Sequence, residues 1–252
     1  MLKDLARLFE GMGRFAVAFS GGVDSSLLCA VAARAANEGF VAVTAETPFT
    51  HGSDLERARA LATRMGFEHR LVSIDPAADP SIASNRSDRC YLCKKLIMGR
   101  LSAEAANLGL NALMDGTNAD DMGEDRPGLR ALRELGIRSP LAELGMNRAA
   151  VVSLSVELGL PDPYRRNAAC LATRIPRGVA ITPGLLRLAE GLESRVLATG
   201  LSFARVRTDG ISATVELLRE EAENLPPGLE AALEKIAREA GVHLSGIRCY
   251  EK

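Results

Sequence analysis

Residues 15–26 read Phe-Ala-Val-Ala-Phe-Ser-Gly-Gly-Val-Asp-Ser-Ser, and this stretch gives the clearest indication of the fold class. Its first five residues are apolar and predict a short buried strand, and apolar residues recur at helical spacing over 25–36. A strand that ends at Ser20, followed by two glycines and the start of a helix, is typical of an anion site. The glycines let backbone N–H groups turn toward phosphate oxygens, and the helix N-terminus adds partial positive charge. The stretch therefore predicts phosphate binding between a strand and a helix.

Strands and helices alternate on the C-terminal side of this stretch. Further strands are predicted over 40–44, 69–74 and 112–114, and helices over 53–65, 92–108 and 147–158. Strands separated by helices of this length imply right-handed crossovers and a parallel sheet. The predicted fold class is α/β, with a doubly wound parallel sheet.

The periodicity breaks over 159–178, where three prolines and several arginines occur. Beyond the break, helices are predicted over 183–199 and 227–240, and strands over 203–206, 211–217 and 244–250. This pattern predicts a second, smaller α/β domain. We expect residues 1–165 to form the phosphate-binding domain, and residues 166–252 to form the smaller domain for substrate binding and oligomerisation.

Composition and charge narrow the class of protein. Of the 252 residues, 47% are apolar and 25% are charged, which favours a sizeable core over global disorder. The formal net charge of -1 lacks the basic signature of a nucleic-acid binder, so we expect no nucleic-acid partner. Residues 1–8 predict an amphipathic helix rather than a signal peptide, and no apolar run has the roughly 20 residues that span a bilayer. We therefore expect a cytoplasmic protein without a membrane partner.

Residues 20–26, here called the nucleotide loop, supply donors for a phosphorylated ligand. The residues assigned to binding are Ser20, Gly21, Gly22, Val23, Asp24, Ser25 and Ser26. The serine hydroxyls donate hydrogen bonds, whereas Asp24 would repel phosphate directly. We therefore expect Asp24 to act through Mg²⁺, which makes it a candidate catalytic residue. No Gly-Lys-Ser/Thr follows, which excludes the loop of kinases and GTPases.

A second polar segment, residues 115–121, reads Asp-Gly-Thr-Asn-Ala-Asp-Asp at the predicted carboxyl end of a strand. Ligands of open α/β sheets bind at that edge. Gly116 and Thr117 are assigned to the nucleotide site, as is Thr44 at the end of another predicted strand. The two acids at 120 and 121 are candidates for magnesium and ribose contacts. A polar loop with an Asn or Asp helix cap explains the same residues equally well.

The five cysteines do not form a disulfide framework in this interpretation, because their number is odd. Cys90 and Cys93 lie at a predicted helix start, where the helix terminus, Arg89, Lys94 and Lys95 favour thiolates. Such a pair suits a metal, a cluster or a redox disulfide. Cys29 and Cys249 are interpreted as ordinary buried cysteines.

Cys170 has an unusual cationic neighbourhood, with arginines at 165, 166, 174 and 177. These charges are expected to lower the pKa of the thiol and to attract an anionic substrate. Together with Cys90 and Cys93, Cys170 gives a three-ligand hypothesis for a metal or cluster. Only three histidines occur in the chain, which leaves a Cys/His zinc site poorly supplied.

The nucleotide loop resembles the pyrophosphatase loop (PP-loop) of the N-type ATP pyrophosphatases, an adenine nucleotide alpha hydrolase-like group that includes NAD, GMP and asparagine synthetases and tRNA thiolation enzymes. Over nearly the whole length, the chain resembles the LarE family of ATP-dependent sulfur transferases, which mature the nickel-pincer nucleotide cofactor of lactate racemase. The segments that carry this resemblance are 20–26, 89–95, 116–121, 126–130, 139–141, 170–176 and 181–183.

The LarE resemblance implies that ATP adenylates a carboxylate of a pyridinium dicarboxylate mononucleotide and that Cys170 serves sulfur delivery, giving a thiocarboxylate. Some members sacrifice this cysteine to dehydroalanine. In members with a Cys-x-x-Cys motif, three thiolates are thought to hold a 4Fe–4S cluster with one iron open to sulfide, and we expect that version on Cys90, Cys93 and Cys170. The implied cofactors are thus ATP, Mg²⁺ and a 4Fe–4S cluster.

The resemblance also implies substrate contacts and assembly. Arg205 and Arg207 match a phosphate-binding pair, Arg174 is placed in the same site, and Glu193 matches an acidic residue assigned to catalysis. A homo-oligomer is implied, since relatives in this family form hexamers. Two positions depart from the family pattern: residues 163–166 read Pro-Tyr-Arg-Arg where Trp-Asp-Lys-Pro is usual, and Thr208 replaces a frequent histidine.

Three other functions are compatible with the nucleotide loop. A tRNA 2-thiolation enzyme can combine the same loop with three cysteines, but the near-neutral charge and the lack of an RNA-binding motif disfavour it. An amide-forming synthetase has no use for three thiols. A non-catalytic ATP sensor would release no pyrophosphate.

Overall fold

The computed structural model describes residues 1–123, 127–164 and 169–250, which fall into two compact units. Unit 1 comprises Met1–Pro76 and Cys90–Ala168, and unit 2 comprises Ala77–Arg89 and Ala169–Lys252. A segment from the middle of the chain thus belongs to the C-terminal unit. The expected boundary between 165 and 166 lies outside the described residues, as do Arg126 of the 126–130 motif and the residues 165–168 that precede Cys170.

The helices and strands follow one another in this order: α1 (Leu2–Glu10), β1 (Phe15–Ala18), α2 (Val23–Ala35), β2 (Phe40–Glu46), α3 (Gly52–Met65), β3 (Glu68–Ser73), α4 (Pro80–Ala83), α5 (Arg89–Asn107), β4 (Leu113–Met114), α6 (Ala119–Met122), α7 (Pro127–Glu134), α8 (Pro140–Glu143), α9 (Arg148–Glu157), α10 (Pro183–Leu197), β5 (Arg205–Thr208), β6 (Ser212–Leu217), α11 (Arg219–Ala222), α12 (Leu229–Glu239) and β7 (His243–Cys249). Short 3-10 turns occur at Pro76–Ala78 and Leu171–Arg174.

Unit 1 contains a parallel sheet with strand order β3-β2-β1-β4, which confirms the predicted α/β class. Apolar side chains of β1 point to both faces: Phe15 and Val17 pack with residues of α1 and α2, and Ala16 packs with residues of α5 and α7. The strand order reverses between β1 and β4. In sheets of this type, ligands bind outside the carboxyl ends of the strands at such a switch point. The nucleotide loop follows β1 and residues 115–118 follow β4, so both lie at this place.

Unit 2 contains a three-stranded sheet in the order β5-β6-β7, with β5 antiparallel and β7 parallel to β6. Its apolar core joins α10 and α12 to one face of the sheet through residues such as Leu192, Val206, Val215 and Leu233. This agrees with the predicted smaller α/β domain.

The sequence pattern missed several short elements. The helices α4, α6, α7 and α8 have four to eight residues, too few for a clear period. The helix α5 begins at Arg89, three residues earlier than predicted. The strand predicted over 203–206 is β5 at Arg205–Thr208, because Phe203 packs its ring on Tyr250 instead of entering the sheet. Within the described ranges, no helix combines the length and apolar character needed to cross a membrane.

Candidate active site

Backbone packing shapes the nucleotide loop. Gly21 has φ +71°, in the left-handed region, and a Cβ there would lie 3.2 Å from the Asp54 carbonyl oxygen and 3.3 Å from the Ala58 backbone nitrogen. A side chain at this position would therefore meet both backbone strain and the first turns of α3. The next glycine, Gly22, is the N-cap of α2 in extended conformation. The loop thus leads directly to a helix N-terminus, as the sequence predicted.

The serine hydroxyls hold the loop together. The Ser25 Oγ accepts from the Ser20 backbone N–H at 3.3 Å, lies 3.2 Å from the Ser20 Oγ, and donates to the Gly22 carbonyl at 3.1 Å. Ser25 and Ser26 are buried. Because the loop is already ordered, binding of an anion would not have to supply the entropic cost of ordering these donors.

Asp24 is buried and contacts two residues distant in the sequence. Its Oδ1 accepts from the Asn118 amide at 3.0 Å, and its Oδ2 accepts from the Arg148 guanidinium at 2.7 Å. The structure thus brings α2, the N-cap of α6 and the first residue of α9 to one carboxylate. Arg148 was not among the predicted site residues, since neither its spacing nor its neighbours distinguish it from a surface arginine.

Residues 115–118 pack against the nucleotide loop. A Cβ on Gly116 would lie 2.8 Å from the Ser25 backbone nitrogen, so only glycine permits this approach. The buried Asp115 accepts from the hydroxyls of Thr117 at 2.8 Å and Ser139 at 2.7 Å, and the Lys94 ammonium lies 3.5 Å from it. Gly116 and Thr117 therefore lie at the predicted nucleotide edge.

The capping interpretation of residues 118–121 also holds. The Asn118 Oδ1 accepts from the Asp121 backbone N–H at 3.3 Å, and the Asp121 Oδ2 accepts from the Asn118 backbone N–H at 3.1 Å, which is a capping box. The Asp120 Oδ2 accepts from the Arg148 backbone N–H at 2.9 Å. Asp120 and Asp121 thus stabilise α6 and the start of α9.

Thr44 ties β2 to the beginning of the nucleotide loop. Its buried hydroxyl donates to the Phe19 carbonyl at 2.5 Å and lies 2.8 Å from the His69 Nε2. Burial lowers the pKa of His69, and the positive charge of Arg59 lowers it further. The Thr44 side chain thus has a structural partner on each side.

Cys90 and Cys93 are half-buried in the first turns of α5, on one helix face because they are three positions apart. The cations expected to favour their thiolates have partners of their own. The Arg89 guanidinium donates to the Ala172 carbonyl at 2.9 Å, and the Lys95 ammonium donates to Glu134 at 2.7 Å. The hydrogen bond from Lys95, followed by those from Tyr91 and Arg130, lowers the pKa of Glu134 to about 2. The charge of Lys95 is therefore compensated by Glu134, whereas Arg89 donates to neutral oxygen atoms.

Cys170 is exposed and precedes the 3-10 turn Leu171–Arg174. Its carbonyl accepts from the Thr173 backbone N–H at 2.9 Å and from the Thr173 hydroxyl at 2.7 Å. The Arg207 guanidinium in turn donates to the Thr173 carbonyl at 2.8 Å. The structure thus connects Cys170 to the predicted phosphate-binding pair within unit 2.

Asn85 anchors the segment that follows Cys170. It is fully buried with φ +55°, and its amide donates to the carbonyls of Ile175, Pro176 and Val179 at 3.2, 2.8 and 3.0 Å. Its side-chain oxygen accepts from Arg89 at 2.5 Å. These contacts explain why residues 77–89 belong to unit 2, and Asn85 was missed because no local pattern marks it.

Arg174 and Glu193 form a buried ion pair. The Arg174 Nε and a second guanidinium nitrogen donate to the two Glu193 oxygens at 2.5 and 3.0 Å, and both side chains are at most 6% exposed. Glu193 also accepts from the Val206 backbone N–H at 2.9 Å. The pair joins the turn after Cys170 to α10 and β5, whereas the sequence had suggested substrate binding for Arg174 and catalysis for Glu193. Both roles stay predictions.

Cys29 and Cys249 differ in burial. Cys29 is fully buried, and burial raises the pKa of its thiol well above the usual value. Cys249 is half-buried at the end of β7, so its interpretation as a buried cysteine was wrong. Among residues 1–123, 127–164 and 169–250, no group of three or more His, Cys, Asp or Glu side chains is arranged to hold a metal ion. Cys90 and Cys93 belong to unit 1, and Cys170 belongs to unit 2.

Known proteins are similar to this chain over the region that contains the nucleotide loop. A family model described as asparagine synthase matches residues 6–122, which include the nucleotide loop and residues 115–121. Pyridinium-3,5-bisthiocarboxylic acid mononucleotide synthase of Lactiplantibacillus plantarum is 33% identical over 84% of this chain and 78% of its own length. The chain belongs to the LarE family of PP-loop enzymes. As a member of this family, it is an ATP-dependent sulfurtransferase.

Other relatives define how far the similarity extends. An uncharacterized protein of Synechocystis is 37% identical over 88% of this chain and 83% of its own length. A tRNA-specific 2-thiouridylase of Trichlorobacter lovleyi is 31% identical, but only over 42% of this chain and 33% of its own length. The LarE likeness thus covers twice as much of the chain as the tRNA-enzyme likeness.

Proposed function

We propose that this LarE-family enzyme adenylates a carboxylate of a pyridinium dicarboxylate mononucleotide and replaces one oxygen of that carboxylate by sulfur. The product is a thiocarboxylate for the nickel-pincer nucleotide. The observation that carries the proposal is the connection of the exposed Cys170 to Arg207 through Thr173, in a chain similar to the mononucleotide synthase. Through this connection, Arg207 would bind the phosphate of a mononucleotide near the Cys170 thiol.

The ATP half of the reaction is assigned to unit 1. The carboxylate oxygen of the substrate attacks the α-phosphorus, the bond to the β-phosphate oxygen breaks, and pyrophosphate leaves. The backbone N–H groups of residues 20–26 and the N-terminus of α2 would hold the phosphates. Arg148 is paired with Asp24, and Lys94 is paired with Asp115, at this edge of the sheet. Both cations would stabilise the negative charge that develops on the leaving pyrophosphate.

Asp24 is the residue proposed to hold Mg²⁺. Asp24 is a carboxylate in the first turn of α2, beside the loop that would hold the phosphates, and carboxylate oxygens are ligands that Mg²⁺ prefers. When bound, Mg²⁺ would neutralise phosphate charge. The chemistry of the donor therefore fits the ion.

The sulfur half of the reaction is assigned to Cys170. In the sacrificial version, its thiolate attacks the acyl carbon, a C–S bond forms and AMP leaves. Loss of the Cα proton and cleavage of the Cβ–S bond then release the thiocarboxylate and leave dehydroalanine at 170. Cys170 suits an attacking thiol because its side chain is exposed.

We favour a version in which the thiolates of Cys90, Cys93 and Cys170 hold a 4Fe–4S cluster. Two observations support it: Cys90 and Cys93 share one helix face, and all three thiols are at least partly exposed. When bound, such a cluster would supply a sulfide on the iron without a protein ligand, and Cys170 would be retained.

The test separates the two halves of the reaction. Pyrophosphate and thiocarboxylate are measured with ATP, Mg²⁺ and the pyridinium dicarboxylate mononucleotide. Wild type should form both products, Cys170→Ala should release pyrophosphate without thiocarboxylate, and Asp24→Asn should release neither. Cys249→Ala is the matched control and should behave as wild type. Absence of pyrophosphate with every substrate would contradict the proposal and favour an ATP sensor.

A second experiment distinguishes the fates of Cys170. After anaerobic purification, iron and sulfide analysis should find about four irons per chain, and Cys90→Ala should lower this number. A colourless protein that loses the mass of hydrogen sulfide after one turnover would establish the sacrificial version. Full turnover after alanine substitution at Cys90, Cys93 and Cys170 would instead favour an amide-forming synthetase.

Two further proposals concern partners. Tight tRNA binding at physiological salt would favour tRNA 2-thiolation over the mononucleotide. Self-association, up to a hexamer, follows from the family and is tested by analytical ultracentrifugation of the full chain.

A further inference from the structure

Four charged residues, here called the arginine row, lie together on the sheet of unit 2: Arg205, Arg207, Glu216 and Arg248. Arg205 on β5 pairs in register with Glu216 on β6, and Glu216 pairs in register with Arg248 on β7. The Arg248 guanidinium donates to the Glu216 Oε1 at 2.8 Å, whereas the Arg205 Nε lies 4.0 Å from Oε2. Arg207, two residues along β5, places its Nε 3.4 Å from the same Oε2. Three guanidinium groups thus surround one carboxylate.

A β-bulge puts Arg248 in this row. Ala213 pairs with Leu244, but Val215 pairs with Ile247, so β7 has one extra residue between the two pairs. Gly246 lies in this stretch with φ +112°, a conformation that favours glycine. Without the extra residue, Ile247 would stand opposite Glu216. Bulges often redirect side chains next to functional sites.

The charges in the row do not balance. Three arginines and one carboxylate leave a net charge of about +2, since arginine stays protonated in proteins. The Glu216 side chain is only 9% exposed, and its Oε2 and the Arg205 Nε are buried without a hydrogen-bond partner among the described residues. The Arg248 side chain is 60% exposed, so this guanidinium can also contact solutes. A phosphate monoester carries about −1.5 to −2 charges at pH 7 and would neutralise the excess.

We propose that Arg248 is a third phosphate-binding residue beside Arg205 and Arg207, and that Glu216 positions the three guanidinium groups. The site would thereby select a phosphate monoester dianion over a diester or an unphosphorylated nucleoside. Glu216 separates the like charges, and exposed guanidinium N–H groups that are not bonded to Glu216, Thr173 or Tyr250 can donate to the ligand. This inference rests on the proposed function only for the identity of the mononucleotide.

The test compares wild type, Arg248→Gln and the matched control Arg238→Gln, an exposed arginine on α12. Pyrophosphate release is measured with the pyridinium mononucleotide and with its dephosphorylated nucleoside. Arg248→Gln should raise the KM for the mononucleotide about tenfold, as loss of a hydrogen bond to a charged group predicts. The KM for the nucleoside should not change, and Arg248→Lys should restore part of the affinity.

The pH dependence of mononucleotide affinity would change in Arg248→Gln only if Arg248 contacts the phosphate, and not if its role is merely structural. The second pKa of a phosphate monoester is about 6, so mononucleotide affinity of wild type should increase as pH rises through 6. The increase should be smaller in Arg248→Gln. An unchanged KM and an unchanged pH profile in this variant would overturn the assignment of Arg248, while wild-type turnover would still uphold the proposed function.

Inorganic phosphate separates the two proposals. If wild type releases no pyrophosphate with the mononucleotide, the proposed function fails, and the site is then tested by calorimetric titration of the full chain with inorganic phosphate. Weaker phosphate binding in Arg248→Gln than in Arg238→Gln would uphold the third residue. Equal binding in both variants would overturn it.

Discussion

The nucleotide loop of unit 1 and the arginine row of unit 2 both suit phosphate, but they are built differently. In the loop, the donors are backbone N–H groups and serine hydroxyls, and glycines at 21 and 116 let backbone segments approach each other. In the row, the donors are guanidinium groups held by one buried carboxylate. The loop therefore depends on close packing of the backbone, whereas the row depends on strand register and charge.

This difference determines how each region should respond to substitution. Backbone donors carry no side-chain charge that a substitution could remove, but added volume displaces them. A site of paired charges tolerates added volume but loses stability when one partner is neutralised.

The largest effect is expected for Glu193→Gln in unit 2. The change leaves the buried Arg174 charged and without its anionic partner, so we expect a loss of about 3–5 kcal/mol in the free energy of unfolding. Urea unfolding measures this loss, and hydrogen exchange at the Val206 amide, which donates to Glu193, localises it. The control Glu239→Gln removes an exposed pair with Lys235 and should cost less than about 1 kcal/mol. Equal effects in the two variants would show that the buried pair contributes no more to stability than the exposed pair.

Gly116→Ala tests the backbone contact in unit 1. The added Cβ would lie 2.8 Å from the Ser25 nitrogen, so we expect destabilisation of about 1–3 kcal/mol. Displacement of the nucleotide loop should lower pyrophosphate release by about 100-fold. Gly99→Ala is the control: nothing lies within 4 Å of its Cβ in α5, and it should stabilise the helix by up to about 1 kcal/mol. Wild-type activity in Gly116→Ala would show that the close approach is dispensable.

Gly246→Ala tests the register of the arginine row. No atom lies within 4 Å of the added Cβ, but φ +112° strains any L side chain, and we expect a cost of about 1–2 kcal/mol. The KM for the mononucleotide should rise if the bulge relaxes and moves Arg248. Gly191→Ala in α10 serves as control, since its φ is not positive and its Cβ position is open. Loss of stability without a change in KM would show that the bulge does not contribute to phosphate binding.

The smallest effect is a pH dependence at His69. Because burial and Arg59 lower the pKa of His69, the unfolded chain binds this proton more tightly than the folded chain. The stability contribution is therefore complete above the ordinary pKa of 6.5 and is lost as pH falls through 6.5. Unfolding free energies at pH 8 and pH 5.5 should differ less in His69→Asn than in wild type. An identical difference would assign the pH dependence to other groups.

Most of the larger elements could be predicted from the sequence. The strand at 15–18 and the helix from 148 to 157, capped by Asn147, follow from local periodicity and capping chemistry. The start of α5 was predicted three residues too late, because the apolar pattern of this helix begins only at Leu92, after Arg89 and Cys90. Short helices such as Pro140–Glu143 could not be predicted, since four residues do not establish a period.

In the candidate site, features set by neighbouring residues could be predicted, and contacts between distant residues could not. The conformation of residues 20–26 could be predicted because the glycines, the serines and the helix start are consecutive, whereas nucleotide binding there stays a prediction. Arg148 escaped prediction because its partner Asp24 lies 124 positions away. Arg248 and Glu216 escaped because a bulge, which the sequence does not mark, sets their register.

The strand, loop and helix over residues 15–35 could be read from the sequence alone, since a turn between a strand and a helix is specified by neighbouring residues. The sequence also determined the family, through the loop together with the motifs around Cys90 and Cys170. Only the tertiary structure decided which charges meet: Asp24 with Arg148, Arg174 with Glu193, and Glu216 with its arginines. The physical reason is that a side-chain ion pair depends on the path of the whole chain, whereas the conformation of a turn depends on its own residues.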